Sequence, residues 1–113
     1  MITTRPPKNA INAVIALYSN GQIKEALDAA KTLIETYPND SLLFNICGIC
    51  YKSMGKLNQA VKSFENALAI KPTYAEVYYN LGVTFQELNQ LNAAVYNYEK
   101  ALIIKPDYAN ACN

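Results

Sequence analysis

A chain of 113 residues with a formal net charge of +1 is one domain at most, and no bulk charge draws it toward nucleic acid or anionic lipid. Hydrophobic residues make up 51% of it, enough for a packed core, yet no apolar run approaches the roughly 20 residues of a membrane span. There is no His, which removes the commonest general base and metal ligand.

In chain order, residues 1–6 form an N-terminal extension. Arg5, Pro6, Pro7 and Lys8 follow no apolar stretch with a small-residue cleavage site, so the start does not read as a signal peptide. From Pro7 the sequence repeats. Pro38, Pro72 and Pro106 recur every 34 residues, as do Ala26, Ala60 and Ala94, and Gly21, Gly55 and Asn89. This period divides the chain into copies 7–40, 41–74 and 75–108. Residues 109–113 are the truncated start of a fourth copy or of a cap helix.

Each copy carries two helical patterns. The third shows them best: Val77, Tyr78, Leu81, Phe85 and Leu88 form one apolar face, and Leu91, Ala94, Val95, Tyr98, Ala101 and Leu102 form a second. Gly21, Gly55 or Asn89 lies between them, and these types tolerate the positive φ of a tight helix–helix turn. The repeating Pro follows each second helix, where it cannot continue the hydrogen-bond ladder. No segment alternates in the manner of a strand. These patterns predict an all-α chain of about six helices in three antiparallel pairs.

The set Tyr78, Leu81, Gly82, Phe85, Ala94, Tyr98, Ala101 and Pro106 closely resembles the tetratricopeptide repeat, or TPR. Phe44, Cys47, Gly48, Tyr51, Gly55, Ala60, Phe64, Ala67 and Pro72 fit the same pattern. The resemblance covers almost the whole chain from Pro7. The first copy departs from it, with Ala10, Val14, Ala30 and Leu33 in place of the usual aromatic, Gly, aromatic and Ala. The resemblance implies a right-handed α-solenoid of antiparallel helix pairs, a TPR-like superhelix. It also implies a non-enzymatic module that binds protein or peptide.

The departures suggest a volume exchange. A helical Gly costs about 1 kcal/mol relative to Ala, so Gly48 and Gly82 imply close helix approach. They accompany the large Phe64 and Tyr98, whereas Val14 accompanies the small Ala30. Bulk moves between paired helices while total volume is roughly kept.

Chemistry is scarce. Cys47-x-x-Cys50 falls inside a helix, at places held by Leu81 and Thr84 in the third copy, and Cys112 is the only other cysteine. Packed, reduced thiols are favoured over a redox pair or zinc site. Free thiols suit a reducing, cytoplasmic location. No catalytic constellation, metal site or cofactor site is read. The Tyr residues read as core and loop positions rather than a base-stacking surface, so neither nucleic acid nor membrane is an expected partner.

In a TPR-like stack the first helices line a concave groove. The resemblance places Ile11, Asn12, Ile15 and Tyr18 there from the first copy, Asn45, Ile49 and Lys52 from the second, and Tyr79, Asn80 and Val83 from the third. A TPR clamp for acidic chaperone tails needs cationic and amide donors. The matching places hold Ile11, Ile15, Ile46, Glu76 and Asn80, which argues against that clamp. The groove is mostly apolar and suits a peptide or an amphipathic helix, with the Asn residues placed to hold a partner's backbone. The alternative is an assembly or scaffolding segment of a longer TPR array or multidomain enzyme. Tyr78, Phe85, Val95, Tyr98 and Leu102 would then form an uncovered C-terminal face through which the chain becomes a homo-oligomer.

Overall fold

The computed structural model describes residues 5–107. Residues 1–4 of the expected extension, Tyr108, the restarted copy 109–113 and its Cys112 lie outside the described residues. Six α-helices follow one another: α1 (Lys8–Ser19), α2 (Ile23–Thr36), α3 (Ser41–Ser53), α4 (Leu57–Ile70), α5 (Ala75–Glu87) and α6 (Leu91–Ile104). The described residues contain no strand. The helices pair as α1/α2, α3/α4 and α5/α6, and each pair stacks on the next through α2 against α3 and α4 against α5. The result is an all-α helical repeat solenoid.

The turns inside the pairs are alike for a stereochemical reason. Gly21, Gly55 and Asn89 have φ of +83°, +77° and +60°, a region costly for most L residues. The reversal lets the next amide reach back over the helix end. Gln22, Lys56 and Gln90 donate to the carbonyls of Leu17, Tyr51 and Phe85 at 2.9, 2.9 and 2.8 Å, which satisfies acceptors the helix leaves open. The turns between pairs work differently. Tyr37, Lys71 and Lys105 precede the repeating Pro and have φ of −125°, −131° and −138°. A following proline disfavours helical backbone, so each second helix ends there.

Two buried clusters occupy the joints. Val14, Ala26, Leu27, Ala30, Ile46, Cys47 and Cys50 join α1, α2 and α3. Ala60, Phe64, Ala67, Val77 and Leu81 join α4 and α5, with Phe44, Ile49 and Tyr51 of α3 packed against them. The buried alanines let paired helices approach, and the two glycines take that approach further. A Cβ added to Gly48 would enter the Phe64 ring, and one added to Gly82 would lie 2.7 Å from Tyr98 Cδ1. In the first pair Val14 fills that side and Ala30 faces the same cluster. The close approach read from Gly48 and Gly82 is present as geometry, whereas the first pair, with Val14 and Ala30, is more widely spaced.

Phe64 is 0% exposed and cannot swing aside, so Gly48→Ala is expected to destabilise by about 1–3 kcal/mol despite the better helix propensity of Ala. Tyr98 is only half-buried, so Gly82→Ala should cost less. Val14→Gly opens a void and adds a flexible residue, and about 3 kcal/mol should be lost. Urea unfolding of the three variants tests this ranking; an unchanged midpoint for Gly48→Ala would remove the close-approach account.

Candidate functional site

Neighbouring first helices are joined by side chains 35 residues apart, one more than the repeat. Tyr18 Oη and Ser53 Oγ lie 2.9 Å apart between α1 and α3. Lys52 Nζ and Glu87 Oε2 form an ion pair at 3.1 Å between α3 and α5, in the same register one repeat later. Asn80 Nδ2 donates to Asn45 Oδ1 at 3.0 Å, and Asn45 Nδ2 donates to Glu76 Oε2 at 3.5 Å. Ile11 and Ile46 hold the places of Asn45 and Asn80 in the first joint. The first-helix layer therefore carries polar rungs separated by aliphatic patches.

This geometry revises two groove expectations. Asn45 is 1% exposed and its amide is engaged by α5, so it stitches the layer together and offers no surface to a partner. Lys52 is half-buried and paired with Glu87. The surface is supplied by Asn12 and by Ile15, which is 46% exposed. Ile11, Tyr18, Ile49, Tyr79, Asn80 and Val83 are half-buried beside them. Tyr79 is held by the Tyr98 ring, with centroids 5.7 Å apart.

At the end of the layer where α1 and α3 begin lies an open cavity of about 970 Å3. Ile11, Leu42 and Ile70 give it an aliphatic lining, and Arg5, Lys8 and Lys71 bring cationic groups to its rim. Its carboxylate, Asp40, accepts the Leu43 amide at 3.0 Å as the cap of α3. Sequence reasoning missed this rim, because Asn39, Asp40, Lys71 and Tyr74 sit in inter-pair turns that periodicity leaves unassigned.

The expected C-terminal face is divided. Tyr78, Phe85 and Tyr98 are half-buried within the stack. Phe85 packs against the α4 cluster, Lys100 Nζ lies 5.9 Å from the Tyr78 ring centroid, and Tyr98 donates its hydroxyl to Gln86 Oε1 at 2.9 Å. Their bulk belongs to the α5/α6 pair, so they are not a free face. Val95 and Leu102 are exposed, at 54% and 38%.

Family models described as tetratricopeptide repeat match residues 12–40 and 75–108, and one described as TPR repeat matches residues 48–89. The chain belongs to the tetratricopeptide repeat family. Such repeats are in general protein-interaction modules. No curated protein sequence matches this TPR chain. Among solved structures, MamA aligns with a TM-score of 0.85 and 22% identity, over 90% of this chain and 60% of its own. YrrB, described as a TPR protein with an unusual peptide-binding site, aligns with a TM-score of 0.80 and 28% identity, over 85% and 50%. The second TPR domain of human RPAP3, in complex with an HSP70 peptide, aligns with a TM-score of 0.81 and 20% identity, over 86% and 81%. The chain thus spans 60% of MamA and 50% of YrrB.

The thiols of this TPR protein are held in the core. Cys47 and Cys50 are free and buried. Burial pushes the Cys47 thiol up to about 12, with Cys50 adding to the rise and Lys31 opposing it, and burial pushes Cys50 up to about 11. A buried thiol with a raised pKa is a poor nucleophile. Among the described residues no helix is long and apolar enough to cross a membrane.

Folding keeps both thiols neutral. Their contribution to stability is complete below about pH 9, the ordinary thiol value, and declines as pH rises through about 11 and 12. Alkylation of Cys47 and Cys50 by iodoacetamide at pH 8 should be more than about a hundredfold slower in the folded chain than in urea, read by peptide mass spectrometry. Equal rates would show that these thiols are reactive after all.

Proposed function

We propose that the chain is a protein-interaction module that takes a peptide or helix along its first-helix layer. The partner carries an apolar stretch for Ile15, Ile49, Tyr79 and Val83 and an acidic side chain for the rim of Arg5, Lys8 and Lys71. The observation that carries this reading is the exposed aliphatic surface of Ile15, about one helical turn along α1 from Ile11, which lines a cavity whose cations outnumber its one carboxylate. Tetratricopeptide repeats being interaction modules in general supports it, as do the peptide sites named for YrrB and human RPAP3. The chaperone-tail clamp is not part of the proposal, because Ile11, Ile15, Ile46 and Glu76 occupy its places.

A second reading is favoured by one comparison within the molecule. Val61 and Leu68 of α4 pack into the joint with α5. Val95 and Leu102 hold the same register on α6 and are exposed. On this reading α6 presents an end face on which another helix pair of a larger assembly stacks.

The two readings respond to different substitutions. Ile15→Asp should weaken binding of a peptide selected from a display library by more than about tenfold, measured by fluorescence polarisation. Lys8→Glu should weaken only acidic peptides, and added salt should do the same. Binding that ignores Ile15→Asp but fails with Leu102→Gln would move the site to the end face.

A further inference from the structure

The outward stripe of α6 differs from those of the other second helices. The register held by Asp28 in α2 and Lys62 in α4 holds Tyr96 in α6. The register of Glu35 and Ala69 holds Ile103. Each of these residues is exposed, and Tyr96 and Ile103 are 59% and 76% exposed. Asp28 and Glu35 stay exposed although α3 packs on α2, and Lys62 and Ala69 stay exposed although α5 packs on α4. A further helix pair stacked on α6 in the same way would cover Val95 and Leu102 and leave Tyr96 and Ile103 in water. α6 thus exposes large apolar side chains on two sides, Val95 and Leu102 on one and Tyr96 and Ile103 on the other.

We propose that this stripe pairs with its own copy, α6 of one chain lying antiparallel on α6 of a second about a twofold axis between Glu99 and Lys100. Glu99 and Lys100 each lie three or four residues from both Tyr96 and Ile103, so the four share one side of the helix. An antiparallel pair centred there sets Tyr96 against the partner's Ile103 and Glu99 against the partner's Lys100, and symmetry repeats both contacts. The order apolar, acid, base, apolar is thus complementary to itself. A head-to-tail stack is the poorer solution. The α1 face that would receive α6 exposes Asn9, Ala13 and Ala16 where α3 buries Leu43, Cys47 and Cys50. Two helices of 14 residues packed this way bury on the order of 1,000 Å2 in total, the lower limit for a specific interface. The dimer is accordingly weak, with a dissociation constant on the order of micromolar. It stands independently of the groove and leaves it open.

The test is absolute molar mass by light scattering on the whole chain, from about 1 μM to 1 mM. The mass should rise from one chain to two. Tyr96→Lys with Ile103→Lys, which sets like charges against each other at both cross-axis contacts, should raise the dissociation constant by more than about tenfold, with the thermal midpoint by circular dichroism unchanged. Leu102→Gln should leave the dimer intact. Glu99→Lys and Lys100→Glu should each weaken it alone and pair with one another when mixed, since both cross-axis contacts then join opposite charges. A monomer across the series overturns the proposal. So does a dimer that survives the Tyr96 and Ile103 changes, or one lost with Leu102→Gln. Charge variants that do not pair on mixing overturn the antiparallel register.

Discussion

Two paired helices can approach closely only if one of them gives up its side chain at the crossing, and the rest of this structure follows from how each repeat meets that condition. In the second and third pairs the first helix presents Gly48 or Gly82, and the second fills the space with Phe64 or Tyr98. In the first pair the bulk lies on the other side, as Val14 beside Ala30. The two pairs with a glycine at the crossing approach closely, and the first pair, which has Val14 there, is more widely spaced. All three still stack, because the joints bury α2 against α3 and α4 against α5.

Stacking then sets the candidate site. Neighbouring first helices meet at side chains 35 residues apart, as Tyr18 with Ser53, Lys52 with Glu87 and Asn45 with Asn80. These rungs hold register, since a slipped layer would leave the buried Asn45 amide unpaired at a cost of about 1–3 kcal/mol. What they leave between them is aliphatic surface, most exposed at Ile15, with a cationic rim where the helices begin. The groove's surface is thus a consequence of the stack, made from residues that packing did not consume.

The far end of the stack shows the same logic from outside. Val95 and Leu102 keep the register of Val61 and Leu68, so the third repeat carries the means of stacking further. Tyr96 and Ile103 do not belong to that register. An exposed aromatic and an exposed isoleucine stand at places where the first repeat has Asp28 and Glu35, and the proposed self-complementary helix pair would account for them.

The sequence by itself determined the number of helices, their pairing and their turns. Each rests on a local cause: apolar spacing along a helix, Gly21, Gly55 and Asn89 at positive φ, and extended backbone before Pro38, Pro72 and Pro106. The exchange of Gly48 with Phe64 was legible too, because the repeat supplies its own alignment. Only the tertiary structure decided which groove positions remain surface. Asn45 and Asn12 look alike in sequence, yet one is enclosed by α5 and the other faces solvent, since burial depends on a neighbour a whole repeat away. Tyr98 was expected both beside Gly82 and on an uncovered face with Leu102, and packing kept only the first. The cationic rim was hidden likewise, because Lys71 of an inter-pair turn comes beside Arg5 and Lys8 only when the stack forms.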